Sequence, residues 1–267
     1  MANYPKPEHP LKLRDLLLKA NELRVAVVQI ADNFPLHLKS KSELHELKSM
    51  ANDLDLTLEV GTKGVEPDHL RQYLEIAEII GSKLIRTLTH SATTDPDINQ
   101  VAAWITQVVP DLEAAGVSLA VENYERHSAK DFAWLIEAVG SRNVGICLDT
   151  VNSFGALEGC MEVFDTLAPY TINLHVKDFQ IKRVDYQMGF VVTGSSAGDG
   201  RLDVAHLLRR LVALHRKPNV ILEQWPPFLG NIEDTVANEA SWAERSICYL
   251  QKTMSEVVTK DDQSEVS

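Results

Sequence analysis

The sequence has few cysteines, and their number and spacing do not favour a disulfide framework. Among 267 residues there are three, Cys147, Cys160 and Cys248, with no CxxC pair, and an odd number does not favour a disulfide framework. The sequence also lacks a run of about 18 apolar residues and an apolar leader at its N-terminus. We therefore expect a cytoplasmic protein from a reducing compartment, without a membrane segment.

Basic residues are also scarce, which bears on the partners of the protein. Lysine and arginine total 26 against 38 aspartates and glutamates, and the formal net charge is −12. Proteins that bind nucleic acid or anionic membranes draw much of their affinity from lysine and arginine contacts with phosphates. The composition therefore disfavours both kinds of partner.

No glycine-rich turn of the GxGxxG or GxxxxGK type follows any apolar run, which argues against a nucleotide-binding open sheet. Instead, short β-branched runs alternate with longer segments of helical period, the pattern of βα units. Hydrophobic residues make up 45% of the chain, enough for one large core. We predict an α/β protein with one domain over residues 1–258 and a disordered polar tail at 259–267.

Seven runs have the length and composition of buried strands. The predicted strands are 24–30, 56–61, 83–89, 117–123, 143–149, 171–177 and 219–224. Helical periodicity predicts helices over 12–23, 41–54, 66–81, 99–116 and 201–216, with Pro110 kinking or splitting the fourth. Strand starts recur every 26 to 34 residues except for one interval of 48, which contains segment 178–200. We predict that this Gly- and Ser-rich segment is a functional loop.

Polar residues at the carboxyl ends of many strands favour a (β/α)8 TIM-type barrel, because barrel enzymes collect their chemistry there. Four consecutive strands end in Glu122, Asp149, His175 and Glu223, at spacings of 27, 26 and 48 residues. Neighbouring strand ends in a barrel are about 5 Å apart, so three carboxylates and an imidazole would surround one point. This donor set suits Mn²⁺ first, then Mg²⁺, Co²⁺ or Fe²⁺, and less typically Zn²⁺.

Each of these residues also has an ordinary structural role open to it. Asp149 alone is typical of a turn or a helix cap, and His175 alone is typical of a hydrogen-bonded core histidine. The two glutamates could pair with Arg86 or Arg126 instead of binding a metal. Four such residues on four successive strand ends are poorly explained by separate accidents, so we predict a divalent-metal site.

These strand ends, together with the phrases VENYE, GICLDTVN, LHVKD, GDGRLD and ILEQ, resemble the xylose-isomerase-like barrel superfamily, the sugar phosphate isomerase/epimerase family. The resemblance covers about residues 10 to 250. It implies a divalent cation held by Glu122, Asp149, His175 and Glu223. In the family's ketose epimerases the two glutamates also move protons on the two faces of the substrate, so Glu122 and Glu223 are the candidate catalytic residues. The chemistry agrees, because a metal on a carbonyl and an adjacent hydroxyl acidifies the α-proton and stabilises an ene-diolate.

The sequence departs from that family in two places. Many family epimerases have a histidine three residues after the aspartate ligand, whereas this chain has Asn152, which can bind a hydroxyl but cannot act as an acid or base. Family members also begin with a strand, whereas this chain reaches helix 12–23 after a Pro-rich dozen residues. We expect the first strand to be missing, to be replaced irregularly by residues 1–10, or to be supplied by a longer native chain.

Four polar residues are predicted to bind substrate: Asn152, Lys177, Arg183 and Arg86. Lys177 follows the ligand histidine and could hold a carboxylate or a phosphate, or merely pair with the aspartate beside it. Arg86 faces the barrel or the helices depending on strand register. Arg183 and segment 186–194 could form a lid over the substrate. Three more polar residues near the ends of the first two visible strands could contact sugar hydroxyls or be ordinary caps: Gln29, Asn33 and Glu59.

Three catalytic functions compete at this point, beside a fourth alternative, a catalytically inactive sugar-binding protein that would bind metal without turnover. The first is a metal-dependent sugar isomerase or epimerase that works through an ene-diolate. The second, nearly level, is a lyase of the same barrel, which decarboxylates a 3-oxo sugar acid such as 3-oxo-isoapionate or dehydrates an inosose, with Lys177 and Arg183 to hold a carboxylate. The third, phosphodiester cleavage as in the family's endonucleases, is disfavoured by the net charge and the scarcity of strand-end histidines. We expect a homo-oligomer that binds a sugar or keto-sugar acid, with no nucleic acid or membrane partner.

Overall fold

Strands and helices alternate along the chain in the computed structural model, which describes residues 6–186 and 188–264, with side chains to residue 257. The helices are Leu13–Glu22 (α1), Lys41–Asp53 (α2), Pro67–Ile80 (α3), Ile98–Ala115 (α4), Ala129–Val139 (α5), Cys160–Leu167 (α6), Val204–Ala213 (α7) and Ile232–Ser264 (α8). The strands are Val27–Ile30 (β1), Thr57–Lys63 (β2), Leu84–Leu88 (β3), Ser118–Glu122 (β4), Val144–Asp149 (β5), Thr171–Val176 (β6), Asp178–Arg183 (β7), Phe190–Ser195 (β8) and Asn219–Leu222 (β9).

The seven predicted strands form one parallel sheet in the order β1-β2-β3-β4-β5-β6-β9. Strands β1 and β9 end this sheet and lie beside each other, but within the described residues no backbone ladder joins them. A closed TIM barrel has eight parallel strands. No strand precedes α1 in the described part of the chain, so the seven strands form a nearly closed TIM-like barrel. The predicted fold class, an α/β TIM-type barrel, is therefore confirmed; residues 6–12 form no strand, and positions 1–5 lie outside the described residues.

The strands are apolar along most of their length because both faces of the sheet are covered. All six residues of β5 are buried, for example. Helices pack outside the barrel and begin and end with the expected signals: the Ser40 and Ser128 hydroxyls cap α2 and α5, and Gly81 ends α3 in the left-handed conformation. Helix α4 is not split, since it is a single helix that contains Pro110.

Segment 178–200, predicted as a loop, instead contains an antiparallel hairpin of β7 and β8. The carboxylate of Asp178 organises the return of the chain, because it accepts hydrogen bonds of 2.9–3.0 Å from the backbone N–H groups of Gly198, Gly200 and Leu202. Trp225 fixes the base of the hairpin through a 3.0 Å bond from its indole N–H to the Asp178 carbonyl. The hairpin therefore projects from the carboxyl end of β6 on a rigid base.

The C-terminal part of the chain is helical. Helix α8 includes residues of the predicted tail as far as Ser264, and positions 265–267 lie outside the described residues. Within the described chain, no helix combines the length and the apolar character that crossing a membrane requires.

Candidate active site

The four predicted metal ligands meet at the carboxyl end of the barrel. Glu122 and Asp149 are the last residues of β4 and β5, His175 is near the end of β6, and Glu223 follows β9. One ligand atom from each residue lies within 4.8 Å of those from the others. Glu122, Asp149 and His175 are buried, whereas 37% of the Glu223 side chain is exposed. The parallel sheet thus brings the four side chains to one point, with the accessible side at Glu223.

Glu122 is held on both of its carboxylate oxygens. The Arg86 Nε–H donates to Oε2, and the Asn152 side-chain amide donates to Oε1 at 2.6 Å. Arg86 therefore faces the barrel interior, where a second bond of 3.3 Å reaches the Thr62 carbonyl. Burial lowers the pKa of the Arg86 guanidinium, but the Glu122 charge outweighs this effect and raises the pKa. Arg86 and Asn152 orient Glu122 and leave it little freedom to move.

Lys177 lies inside the same cluster. Its Nζ is 3.1 Å from Asp149 Oδ2 and 3.0 Å from Glu223 Oε1, and it donates to the side-chain oxygen Oδ1 of Asn152 at 3.0 Å. Burial lowers the pKa of this ammonium group, but the neighbouring carboxylates outweigh burial and raise the pKa well above its usual value. The lysine is therefore a positively charged member of the site.

Asp149 is fixed so that one oxygen faces the cluster. Its Oδ1 accepts from the backbone N–H groups of Val151 and Asn152 at 2.9 and 2.7 Å, which leaves Oδ2 directed toward Lys177. Burial raises the pKa of Asp149, and the nearby ammonium of Lys177 opposes that rise. The turn-capping role that Asp149 could have alone is thus present, but it occupies only one oxygen.

His175 faces the two glutamates with Nδ1, which is 2.7 Å from Glu223 Oε2 and 3.4 Å from Glu122 Oε2. Burial lowers the pKa of the His175 imidazole, but the two glutamates outweigh it and raise the pKa. For Glu223, burial raises the pKa, and the contacts with His175 and Lys177 reverse the effect and hold it well below its usual value.

The donor atoms at the centre fit a divalent cation. Asp149 Oδ2, His175 Nδ1 and Glu223 Oε2 are buried and have no hydrogen bond of good geometry among the described residues. Asp149 Oδ2 is 3.1 Å from the Lys177 ammonium, and His175 Nδ1 and Glu223 Oε2 are 2.7 Å apart. Buried polar atoms are nearly always in well-formed hydrogen bonds, so three such atoms that converge on one point need an explanation. Three carboxylates and one imidazole are the donor set that Mn²⁺, Mg²⁺ or Co²⁺ accepts. A cation between these atoms would satisfy all of them.

Arg183 is placed differently from the other predicted substrate-binding residues. It lies at the end of β7 on the exposed part of the hairpin, where its guanidinium stacks over the Phe190 ring at 4.6 Å. Asn152, Lys177 and Arg86, in contrast, each contact at least one of the four candidate ligands. The structure therefore brings three of the four predicted substrate-binding residues to the cluster.

A layer of polar residues beneath the cluster was not predicted as a unit. Gln29 contacts His175, and Glu59 contacts Gln29, so neither is a helix cap. The Cys147 thiol donates to the Asn173 side-chain oxygen at 3.4 Å, and Asn173 also bonds Glu59. The available signal was the alternation of Asn173 with His175 in β6, which places both residues on the inner face of the strand.

Fold and site together define a class: a parallel α/β barrel with a candidate divalent-metal centre at the carboxyl ends of its strands. A family model described as the xylose isomerase-like TIM barrel matches residues 11–251. The chain therefore belongs to the xylose isomerase-like TIM barrel family.

The relatives include enzymes of two reaction types. The 3-oxo-isoapionate decarboxylase of Pectobacterium atrosepticum is 35% identical over 242 residues, which span 91% of this chain and 88% of that protein. The D-psicose 3-epimerase of Clostridium cellulolyticum H10, solved with D-tagatose, has a TM-score of 0.71 at 16% identity, covering 92% of this chain and 94% of its own. A barrel protein from Mycobacterium smegmatis in complex with magnesium has a TM-score of 0.71 at 14% identity, covering 91% and 88%. At these identities the solved structures show the fold alone.

Proposed function

We propose that this protein is a divalent-metal-dependent decarboxylase of a 3-oxo sugar acid. The observation that carries the proposal is the position of the Lys177 ammonium, which lies 3.0–3.1 Å from the Asp149 and Glu223 carboxylates at the candidate metal centre. The 35% identity to a 3-oxo-isoapionate decarboxylase points to the same reaction. The lyase alternative is therefore favoured over the isomerase or epimerase.

The charge of the cluster supports an acidic substrate. Among the four candidate ligands and the charged side chains that contact them, three carboxylates face two cations, Arg86 and Lys177. The net charge of these groups is −1 when His175 is neutral, and a bound divalent cation would change the net charge of the cluster to +1. A substrate carboxylate would neutralise that charge, whereas a neutral ketose would leave it unbalanced in a mostly buried site.

A divalent cation held by Glu122, Asp149, His175 and Glu223 would supply positive charge to the keto group of the substrate, which favours the movement of electrons away from the departing carboxylate. Lys177 would meet the carboxylate of the substrate on entry. When the carbon–carbon bond breaks, its electron pair remains with the sugar and CO₂ leaves. Because the carbon that loses CO₂ is also the carbon that takes up a proton, a lysine beside the carboxylate is placed to donate that proton.

The remaining residues have supporting roles in this proposal. Arg86 and Asn152 hold both oxygens of Glu122, so Glu122 acts as a ligand rather than as a mobile base. Water would return a proton to Lys177 after each turnover, and the net reaction would consume one proton for each CO₂ released. Glu223 lies on the accessible side of the cluster, so we expect substrate to enter there.

The test measures CO₂ release from a panel of 3-oxo sugar acids by the Mn²⁺-loaded protein. We expect Lys177→Met to lose CO₂ release while its metal content stays unchanged, and Lys182→Met, on the exposed part of the hairpin, to keep full activity. If Glu122→Gln or His175→Ala leaves metal content and activity intact, the proposed site is wrong.

A sugar isomerase or epimerase is the second candidate, because Glu122 and Glu223 come from strands three positions apart in the barrel, with the metal site between them. This function predicts that deuterium from solvent enters the α-carbon of a ketose or an aldose without release of CO₂. Deuterium exchange with a neutral sugar, together with no CO₂ from any acid of the panel, would replace the decarboxylase by the epimerase.

A further inference from the structure

The buried carboxylate of Glu59 lies beneath the candidate metal centre and is bound by amides alone among the described residues. Glu59 is 2% exposed. It accepts from the side-chain amides of Gln29 and Asn173 at 2.9 Å and from that of Asn219 at 2.6 Å. A carboxylate accepts hydrogen bonds and does not donate them when it is ionised. Each of these amides must therefore present its NH₂ group to Glu59.

That requirement fixes the orientation of Gln29. With its NH₂ group on Glu59, and also 3.2 Å from the side-chain oxygen Oδ1 of Asn173, Gln29 must present its own side-chain oxygen on the other side. There Gln29 Oε1 lies 2.8 Å from His175 Nε2. The reversed amide would place oxygen against the oxygens of Glu59 and Asn173, which is repulsive. The amide orientation thus follows from the charge on Glu59.

The orientation of Gln29 in turn fixes the proton on His175. An amide oxygen can only accept a hydrogen bond, so His175 Nε2 must carry the proton. The lone pair of the neutral ring is then on Nδ1, the atom that faces Glu122 and Glu223. Metal-binding histidines are commonly oriented by a hydrogen bond from the nitrogen that does not bind the metal.

We infer that Glu59 and Gln29 are positioning residues that hold His175 in the tautomer with its Nδ1 lone pair at the metal centre. Neither residue touches the metal or the substrate; Glu59 acts through Gln29, and Gln29 acts through the imidazole. The inference rests on the metal site of the proposed function, but not on the reaction that the site performs.

Two variants break this arrangement, and one matched variant leaves it intact. Glu59→Gln removes the charge that forces the orientation of Gln29, and Gln29→Leu removes the acceptor for Nε2–H. Asn219→Ala removes one donor to Glu59 while the carboxylate, and hence the constraint on Gln29, remains. All three variants lose a hydrogen bond of this network, so loss of stability alone does not distinguish them.

The first measurement is the affinity for Mn²⁺, by competition with a fluorescent chelator. Loss of a partner that orients a ligand typically weakens metal binding about 10- to 100-fold. We expect a loss of this size for Glu59→Gln and Gln29→Leu, and a change of less than about twofold for Asn219→Ala, because only the first two release the ring.

The second measurement is the tautomer of His175, from the ¹⁵N shifts of its ring in metal-free protein at alkaline pH, assigned by comparison with His175→Gln. We expect the Nε2–H form in the unaltered chain and in Asn219→Ala, and a mixture in the other two variants. If Glu59→Gln keeps the Nε2–H form and the Mn²⁺ affinity of Asn219→Ala, the inference is overturned. If the unaltered chain binds no cation, the metal site of the proposed function fails, and the tautomer in metal-free protein still decides whether Glu59 and Gln29 orient the ring.

Discussion

Replacing Arg86 by methionine should destabilise the metal-free protein by about 3–5 kcal/mol, the range for removing one partner of a buried ion pair. The guanidinium contacts Glu122 inside the barrel, and the two side chains are 7% and 0% exposed. Methionine fills much of the space of the arginine stem, so a cavity contributes little. The loss of stability should therefore come mainly from the carboxylate of Glu122, which loses its cationic partner.

The magnitude follows from the geometry. Two unit charges about 4 Å apart attract by about 4 kcal/mol at the effective dielectric constant of about 20 that suits protein sites. Because water reaches neither side chain to a significant degree, no discount for solvent screening applies. The uncompensated carboxylate also loses the hydration that it had in the unfolded chain, so the loss should fall within the range for a broken buried pair.

The assay is urea unfolding in the presence of a chelator, for Arg86→Met, Glu122→Gln and the double variant. The double variant should lose less stability than the two single variants together, by more than about 1 kcal/mol, because the neutral glutamine no longer needs a cation. Mn²⁺ should stabilise Arg86→Met more than the unaltered chain, because the metal replaces the missing positive charge. The matched control is Arg71→Met, which breaks a 2.9 Å pair with Asp111 in which both side chains are 44% exposed; solvent screens this pair, so its cost should be much smaller than that of Arg86→Met.

The reasoning is refuted if the two single variants add within about 0.5 kcal/mol, because additive effects mean that the two residues do not interact. It is also refuted if Arg86→Met costs no more than the surface control. In either case the contact between Arg86 and Glu122 would not be the electrostatic support of the site.

Three further predictions concern the hairpin and the pH dependence. Asp178→Asn should cost about 2–4 kcal/mol by urea unfolding, because one of the two oxygens that bind backbone N–H groups becomes an amide donor. Gly194→Ala should cost about 1–3 kcal/mol and lower activity, because its methyl group would overlap the backbone carbonyl of Trp225. Burial lowers the pKa of His69 by more than the charge of Glu66 raises it. As the pH falls through about 6.5, the unfolded chain therefore binds a proton at this histidine more readily than the folded chain does. The free energy of unfolding decreases in that pH range as a result. His69→Gln should therefore lose less stability than the unaltered chain between pH 7.5 and 5.5, by urea midpoints.

Each of these predictions has a result that would contradict it. Asp185→Asn, in the exposed turn of the hairpin, should be neutral, and a similar loss in both aspartate variants would show that the backbone bonds are unimportant. Gly189→Ala meets only ordinary van der Waals contact at Val184, so equal effects of the two alanines would argue against the overlap. Equal slopes of stability with pH for His69→Gln and the unaltered chain would remove His69 as a source of the pH dependence.

The sequence was sufficient to predict the features that depend on local pattern. The parallel strands are apolar runs bounded by helices of clear period, so their positions and order could be read directly. The four candidate ligands could be found because each ends a strand, and parallel strands end at one edge. The hairpin could not be predicted in the same way, because Gln180, Lys182 and Thr193 give β7 and β8 a polar face, and their pairing depends on the clamp at Asp178.

The side-chain direction of Arg86 could not be predicted from the sequence either, since a shift of one residue in strand register would turn this side chain toward the helices. The structure decides it, because Arg86 pairs in register with Ala120 of β4, and Glu122, two positions further along the same face of that strand, receives its guanidinium. A strand-end carboxylate and a mid-strand arginine thus become partners only once the register of two separate strands is known.

The closure of the barrel involves residues that are far apart in the sequence. Strands β1 and β9 are not joined by a ladder within the described residues, yet Gln29 of β1 bonds Asn173 of β6, and Glu59 of β2 bonds Asn219 of β9. Each bond passes over one end strand, so side chains connect the two ends of the sheet where backbone groups do not. Of these two bonds, only that of Gln29 belongs to a residue that also contacts His175. Gln29→Leu should therefore weaken both the contact between the ends of the sheet and the binding of Mn²⁺, whereas Asn219→Ala should weaken that contact and change the Mn²⁺ affinity by less than about twofold.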